Sequence, residues 1–286
     1  MEEFKKRLTH LHHCNGIGWK AIFHLLKADP ELKNLYRCPP LQNVPNLTKN
    51  NFLDNINSIT IHDYFHEYSL NDIHMITYFD KEYPSLLKET FQPPWVLYAK
   101  GNINLLNNGI KLAAVGSRQA TSYGKNAIKA LFPKLIEKEI ILVSGLAAGI
   151  DTCVHQTAMR LGGHTIAVIA GGLYHIYPQE NRNLALEMMK NQLILSEYPP
   201  NTRPSRWHFP ARNRIISGMS SGTLIIEAKQ KSGSLITANY AVQEGRDVFA
   251  IPGNIFSPFS EGTNELIQQG AKLVKSSGDI LDELIY

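Results

Sequence analysis

From Lys111 onward, apolar runs of strand length alternate with amphipathic stretches of helix length. The stretches between the runs predict helices near residues 122–138, 149–161, 180–190, 210–219 and 234–245. Continuous apolar strands that alternate with helices indicate a parallel sheet with helices on both faces. The sequence therefore predicts an α/β fold built on a Rossmann-like, doubly wound, mostly parallel sheet. Its predicted strands are KLAAVG, IILVSG, HTIAVIAGG, LILSEY, GTLIIEA and DVFAIPG.

The first 70 residues have a different pattern, in which short helices are separated by polar joints. Asn15-Gly16-Ile17-Gly18 marks a tight turn between two of these helices. One interpretation is a small helical domain that needs glycine for its turn, and the other is a helix-hairpin-helix module whose backbone amides touch DNA phosphates. We expect a small helical domain over residues 1–70, an extended Rossmann-like domain over 71–286, and no C-terminal winged helix.

Composition excludes several classes of protein. The net charge of +4 is mild, so nucleic acid binding would depend on a local basic patch. The cysteines Cys14, Cys38 and Cys153 are far apart, which argues against a disulfide framework and against a structural zinc site. No apolar run has the length of a signal peptide core or of a membrane span. We expect a cytoplasmic protein with no metal, no cofactor and no membrane insertion.

Small residues follow several of the predicted strands directly. They are Gly116-Ser117, Ser144-Gly145 and Gly171-Gly172, and Arg118 follows the first pair directly. Ligands of open parallel sheets bind beyond the carboxyl ends of the strands, where such residues leave backbone amides accessible to anions. The dinucleotide fingerprint GxGxxG and the P-loop GxxxxGK[ST] are both missing, which argues against bound NAD and against ATP hydrolysis.

Residues 202–218, TRPSRWHFPARNRIISG, combine four arginines with aromatic rings, and no carboxylate occurs between Glu197 and Glu227. Guanidinium groups bind phosphate and aromatic rings stack on unpaired bases, so this composition suits a flexible nucleic acid strand. Because Arg212 and Arg214 are two apart on a helix, one can face the sheet edge while the other pairs internally, for example with Glu227. The contacts predicted from this region and the next helix start are Arg206, Phe209, Arg212, Arg214, Lys229, Lys231, Ser232 and Gly233.

Asp151 and His155 are four apart on a predicted helix. They could be a carboxylate-oriented histidine base or two metal ligands. No third ligand is near in sequence, so we favour helix capping by Asp151 and a local hydrogen bond for His155.

Eight motifs, taken in order, resemble the DNA-processing protein A family (DprA, also called Smf). They are AVGSR at 114–118, SGLAAGIDTCVH at 144–155, TIAVIAGGL at 165–173, LSEYPP at 195–200, HFPARNRIISG at 208–218, EAKQKSGSLITA at 227–238, EGRDVFAIPG at 244–253 and the later EGTNELIQQGAKLV. The N-terminal helices resemble the small sterile-alpha-motif-like (SAM-like) domain of that family. The resemblance implies a homodimer that binds single-stranded DNA, protects incoming DNA in natural transformation and loads a RecA-type recombinase, without catalysis.

The resemblance also implies roles for particular residues. Ser117 and Arg118 would hold phosphates, and Arg206 and Phe209 would supply a cationic contact and a base stack. Where the family often has a lysine after Tyr-Pro, this chain has Gln179, so a phosphate contact there is in doubt. The strand's path would be lined by Ser144, Gly145 and Gly172, and dimer and recombinase contacts would involve residues 254–274, including Leu266, Ile267 and Leu273.

An alternative from another class is an enzyme similar to nucleotide phosphoribohydrolases. Ser220-Ser221-Gly222-Thr223 followed by Glu227 distantly resembles their phosphate-binding GGxGT and glutamate. Serines replace the paired glycines of that motif, so this interpretation is the weaker one.

Overall fold

The structure is a computed structural model that describes residues 2–42, 44 and 48–285. The helices are α1 Glu2–His13, α2 Trp19–Ala28, α3 Lys49–Asn57, α4 Ile61–Leu70, α5 Ser85–Lys88, α6 Ser122–Glu137, α7 Ile150–Arg160, α8 Arg182–Asn191, α9 His208–Gly218, α10 Gly233–Gln243, α11 Glu261–Gln268 and α12 Gly278–Leu284. The strands are β1 His74–Thr77, β2 Val96–Gly101, β3 Lys111–Val115, β4 Ile141–Ser144, β5 Thr165–Ile169, β6 Leu193–Ser196, β7 Gly222–Ile225, β8 Asp247–Ala250 and β9 Lys272–Leu273. Short 3-10 turns occur at Ile103–Leu106 and Gln179–Asn181.

The described strands form one sheet in the order β1-β2-β6-β5-β4-β3-β7-β8-β9. The pairs from β6 to β9 are parallel, whereas β2 is antiparallel to both β1 and β6. On one side of β3 the sheet continues with β4, β5 and β6, and on the other side it continues with β7, β8 and β9. The predicted doubly wound, mostly parallel α/β fold is thus confirmed, and the point where the strand order reverses lies between β3 and β7.

Strand residues alternate between two apolar layers, which explains why helices cover both faces. On β3, Ala113 and Val115 belong to the layer of α9, α10 and α11, whereas Leu112 and Ala114 pack with α6, α7 and α12. Every residue of β3 to β7 is buried, as expected for a sheet covered on both faces. Five predicted helices match α6 to α10 within two residues at each end.

Helices α1 to α4 occupy the predicted N-terminal region. Their apolar residues, including Leu8 and Phe52, share a continuous core with Tyr98 of β2 and Met188 of α8. The helices therefore pack on the side of the sheet formed by β2 and β6. The division of the chain into two domains near residue 70 stays a prediction.

Candidate nucleic-acid interface

A groove of about 460 Å³ opens at the carboxyl ends of β3 and β7, where the strand order reverses. Its walls are the turn after β3 and the first turns of α7, α9 and α10. The lining residues that matter for its chemistry are Gly116, Arg118, Asp151, Tyr177, Arg206, Phe209, Arg212, Asn213, Ser232 and Gly233. Half of the predicted DNA-binding residues are thus brought together at the position where doubly wound folds bind ligands.

Arg118 is exposed at the rim of the groove because the turn before it is tightly packed. The Ser117 carbonyl accepts a hydrogen bond of 3.0 Å from the Ile150 amide at the start of α7. Gly149 has φ +84°, and a Cβ there would lie 2.4 Å from the Ser117 oxygen, so the close approach requires glycine. The Ser117 hydroxyl is buried and engaged with the backbone of Gln119 at 3.0 and 3.2 Å. Arg118 therefore supplies the free cation, and the Ser117 hydroxyl closes the turn.

Aromatic rings lie beside the Arg118 guanidinium. The Arg118 guanidinium lies 5.6 Å from the ring centroid of Phe209, and Tyr177 meets the same ring edge-on at 5.7 Å. Arg206 lies 4.7 Å above the ring of Trp207, which is 72% exposed. The predicted combination of guanidinium groups and stacking surfaces is therefore present in space. It can bind a phosphate and an unpaired base side by side.

Arg212 lies at the floor of the groove and is buried. Its Nη1 donates to the Val168 carbonyl at 2.6 Å, and its Nε donates to the Asn213 side chain at 3.1 Å. Burial lowers the pKa of Arg212, and the carboxylate of Asp151 raises it. Burial raises the pKa of Asp151, and Arg212 lowers it. The two charges therefore stabilise each other, and Arg212 adds little free positive charge to the groove.

Arg214 lies outside the groove. Its guanidinium donates to Glu197 at 2.5 Å and to the Gln92 carbonyl at 2.9 Å, and burial of the pair raises the pKa of Glu197 against the opposing effect of Arg214. The internal partner is thus Glu197 and not the suggested Glu227, which accepts hydrogen bonds from Thr121 instead. Arg214 stabilises the fold, because α9 turns it away from the groove that Arg212 lines.

Three small residues predicted to line the strand's path are packing residues. The buried Ser144 hydroxyl donates to the Ala114 carbonyl at 2.7 Å. Gly145 lies directly beside the Arg212 guanidinium, where a Cβ would be 2.1 Å from Nη1. At Gly172 a Cβ would be 2.1 Å from the Pro199 carbonyl oxygen. Close packing against protein atoms explains why these strand ends carry small residues.

The start of α10 forms the far wall of the groove. The Ser232 hydroxyl caps the helix by accepting from the Ser234 amide at 3.3 Å. Asn213, which the sequence did not single out, donates to the Gly233 carbonyl at 3.2 Å and so ties α9 to α10. Lys231 and Lys229 are exposed just before this helix, and Lys229 donates to the Gln119 side chain at 3.3 Å.

The groove has a positive balance of charge. Among the described residues that line it, the charged side chains are Arg118, Arg206, Arg212 and one carboxylate, Asp151. Because Asp151 faces Arg212, Arg118 and Arg206 keep their charge available to a ligand. Phosphate anions fit this balance.

The phosphoribohydrolase-like motif lies at the wrong end of its strand. Gly222 begins β7, so Ser220 to Thr223 are at the amino edge of the sheet, opposite the groove. The Ser220 hydroxyl donates to the Ile216 carbonyl at 2.8 Å, and the Ser221 amide donates to the Lys111 carbonyl at 2.8 Å. These residues cannot act together with Glu227, so the geometry does not support the enzyme alternative.

His155 is buried and bound locally, as favoured from the sequence. Its Nε2 hydrogen-bonds the Gly145 carbonyl, and its Nδ1 lies 2.7 Å from the Thr165 hydroxyl. The predicted capping by Asp151 is wrong, because Gly149 is the N-cap of α7 and no side chain of the described residues caps the helix; Asp151 instead accepts from the Ala147 amide at 3.4 Å. Over residues 2–42, 44 and 48–285, no group of three or more histidine, cysteine or acidic side chains could hold a metal ion. Over the same residues, no helix has the length and apolar character needed to cross a membrane.

The predicted C-terminal contact residues differ in exposure. Leu266 is 8% exposed and belongs to the apolar core under α11, so most of its side chain packs inside the chain. Ile267 is partly buried against the same core, and Leu273 is 38% exposed. The sequence did not single out Ile255 and Phe256, which are 78% and 88% exposed in the loop after β8.

Comparison with known proteins gives the family. The family model for DNA recombination-mediator protein A matches residues 74–285. The chain belongs to this family. DNA processing protein DprA of Bacillus subtilis strain 168 is 49% identical over 217 residues, which cover 76% of this chain and 73% of that protein.

Two solved structures of the family are similar to this chain. The X-ray structure of DNA processing protein A from Streptococcus pneumoniae has a TM-score of 0.84 and 37% identity, and the match covers 98% of this chain and 96% of that one. DNA processing protein A from Helicobacter pylori, described for its unique single-stranded DNA binding mode, has a TM-score of 0.67 and 30% identity over 74% of this chain and 95% of that one.

Proposed function

We propose that this chain binds single-stranded DNA in the groove between β3 and β7. The observation that carries the proposal is the exposed Arg118 guanidinium 5.6 Å from the Phe209 ring, with Arg206 on the same rim. Arg118 and Arg206 bind phosphates, and Phe209 stacks on a base. The family relative from Helicobacter pylori that was described for single-stranded DNA binding supports this assignment.

A single strand fits the groove better than a duplex. Phe209 is partly buried among Tyr177 and Arg118, so a base must leave its own stack to reach the ring. Unpaired bases do so easily, whereas flipping a base out of a duplex costs a few kcal/mol. The exposed Lys229 and Lys231 extend the cationic surface beside the start of α10.

The biological role we propose is that of a recombination mediator. The chain would protect incoming single strands in the cytoplasm during natural transformation and load a RecA-type recombinase onto them, without catalysing a reaction itself. Membership of a family described as recombination mediators supports this role. We further propose a homodimer formed through residues 254–274, and a SAM-like N-terminal domain over residues 1–70.

Arg118→Ala tests the site. We expect it to weaken single-strand binding and to make the slope of log K against log salt shallower by roughly 0.7, the value for one lost phosphate contact. The measurement is the affinity for single-stranded and duplex oligonucleotides of the same sequence across a salt series. Wild-type protein should prefer the single strand, and its affinity should fall as salt rises.

Arg160→Ala is the matched control. Arg160 is an exposed arginine at the end of α7, so it lies about one helix length of 15 Å from the groove. This variant should keep the wild-type salt slope. Equal affinity for duplex and single strand, or an unchanged slope for Arg118→Ala, would remove the groove as the binding site.

A further inference from the structure

A second aromatic surface lies beside β1, away from the groove. Three of its ring pairs are stacked: Trp19 with Phe23 at 5.4 Å, Trp19 with Trp95 at 5.1 Å, and Phe79 with Trp95 at 6.3 Å. Phe91 is 77% exposed, and Phe23 and Phe79 are each more than 40% exposed. We define the aromatic platform as Trp19, Phe23, Tyr78, Phe79, Phe91 and Trp95, which line one open depression.

Hydrogen bonds hold the platform in place. The Trp19 indole donates to the Pro93 carbonyl at 2.7 Å, and the Trp95 indole donates to the Trp19 carbonyl at 3.1 Å. Both polar indole groups are thus satisfied inside the protein. The two indole rings are therefore fixed in position before any ligand arrives, so that they lose little side-chain entropy on binding.

The charge around the platform is positive. Lys27 and Lys88 line the depression, and no carboxylate does so among the described residues. The Lys88 ammonium lies 4.7 Å from the Tyr78 ring. Three acidic side chains lie near the platform, and each has a partner in the protein. Asp80 forms an ion pair with Lys5 at 2.7 Å, and Glu89 forms one with Arg246 at 3.2 Å. Glu244 accepts a hydrogen bond from the Phe91 amide at 2.9 Å.

The platform begins at the same edge of the sheet as the groove. Thr77 ends β1 opposite Val96, which begins the antiparallel β2, so Tyr78 and Trp95 lie at the carboxyl edge. Tyr98 pairs with Ser196 at the end of β6, and Tyr198, two residues further, stacks on His208 at 3.9 Å. His208 begins α9 next to Phe209 of the groove. A short path along this edge therefore joins the platform to the groove.

We propose that the aromatic platform is a second stacking site for the same single strand of DNA, reached after the strand leaves the groove. The inference rests on the proposed function, because it extends the path of that strand. From β3 to β2 the sheet spans four strand spacings, about 19 Å, which a few nucleotides can bridge. The exposed Arg203 and Trp207 lie on the segment that leads from one site to the other.

Single-stranded DNA fits the platform better than an apolar peptide does. Phe23 and Phe79, at the two ends of the stack, keep exposed ring surface for a base, and the two lysines favour a polyanion. A hydrophobic peptide would gain from the rings but would leave the lysines without partners. If the platform instead bound a protein, substitutions in the platform would change the affinity for no DNA probe.

Tryptophan fluorescence can test the proposal in the full-length chain. Trp207→Phe leaves Trp19 and Trp95, both in the platform, as the tryptophans of the sequence. Oligothymidylates of about 6 and about 16 nucleotides then serve as short and long probes. We expect the long probe to quench this fluorescence and the short one, held in the groove, to leave it unchanged.

The double variant Phe23→Ala/Phe91→Ala removes two exposed rings from the platform. We expect its affinity for the long probe to fall at least about fivefold, with unchanged affinity for the short one. Leu70→Ala, an exposed apolar residue on α4, is the matched control and should change neither. Unchanged affinity for the long probe, or an equal loss for both probes, would overturn the proposal.

Failure of this inference is distinguishable from failure of the groove. If the groove is not the binding site, Arg118→Ala leaves the affinity for both probes unchanged. If only the platform fails, both probes bind with similar affinity, Arg118→Ala weakens both, and the fluorescence of Trp19 and Trp95 does not respond to either.

Discussion

Arginines of one short segment serve different purposes in this protein. Arg206 is exposed at the rim of the groove, Arg212 is buried beside Asp151, and Arg214 pairs with Glu197. The sequence predicts that Arg212 and Arg214 diverge, because they are two apart on a helix. It cannot identify Asp151 and Glu197 as their neighbours, since those carboxylates come from other elements of the fold.

Arg214→Leu should destabilise the protein and leave DNA binding intact. The substitution removes the partner of Glu197, whose side chain is only 14% exposed, and an uncompensated buried charge costs about 3 kcal/mol. The measurement is the free energy of unfolding in urea. Since burial then raises the pKa of Glu197 without opposition from Arg214, part of the lost stability should return as the pH is lowered.

Lys229→Ala is the comparison for Arg214→Leu, and we expect it to change DNA binding without changing stability. Lys229 is exposed near the groove, so its loss should leave the free energy of unfolding unchanged and reduce the salt slope of single-strand binding. If Arg214→Leu were fully stable but bound DNA more weakly, Arg214 would be a DNA contact and its structural role would be wrong.

At the scale of elements, α7 joins the groove to the centre of the sheet. Gly149 lets the helix begin against the turn that carries Arg118, and Asp151 in its first turn neighbours Arg212. One turn later, His155 is fully buried between Gly145 and Thr165. The Gly145 carbonyl can only accept a hydrogen bond, so neutral His155 carries its proton on Nε2, while the Thr165 hydroxyl beside Nδ1 donates its own proton to the Leu142 carbonyl at 2.8 Å.

His155 should make the protein less stable in mild acid. Burial, with repulsion from Arg212, lowers its pKa from 6.5 to about 4, although the bond to Gly145 opposes this. Above pH 6.5 the residue is neutral in both the folded and the unfolded state. Between 6.5 and about 4 only the unfolded state binds the proton, so the free energy of unfolding falls by up to about 3 kcal/mol as the pH decreases.

Urea unfolding at several pH values measures this effect. The fall in stability of His155→Gln between pH 6.5 and 4 should be smaller than that of the wild type. His62→Gln, which changes an exposed histidine on α4, should follow the wild-type curve. Parallel curves for His155→Gln and wild type would show that the histidine is not held neutral in the folded protein.

Six central strands are predictable from sequence because each is a continuous apolar run between turn signals. The strands at the edges of the sheet are not. β9 has two residues, and β1 and β2 lie in a segment whose antiparallel pairing depends on contact with β6, far along the chain. Likewise, glycines at strand ends indicate close approach, but only the fold shows that Gly145 approaches the Arg212 guanidinium and Gly172 the backbone of Pro199.

At the scale of the whole molecule, the loop after β8 presents an exposed apolar surface on a rigid support. Asn264 makes two hydrogen bonds of 3.1 Å with the backbone of Gly253, and Asn254 accepts from the Phe256 amide at 2.9 Å. The loop is therefore anchored at its base while Ile255 and Phe256 stay largely exposed. Exposed aromatic residues on an ordered support are typical of the centre of a protein–protein interface.

Phe256→Glu should dissociate the proposed homodimer. A central aromatic contact contributes about 2 kcal/mol or more, so the dissociation constant should rise at least about thirtyfold. Sedimentation equilibrium across a concentration series measures it, with Leu70→Glu as control because Leu70 is 72% exposed on α4, outside this loop. Arg118 and Phe209 belong to a groove built from one chain, so each monomer should still bind a short oligonucleotide. A monomeric wild type, or a variant that remains dimeric, would contradict the assignment of this loop to the interface.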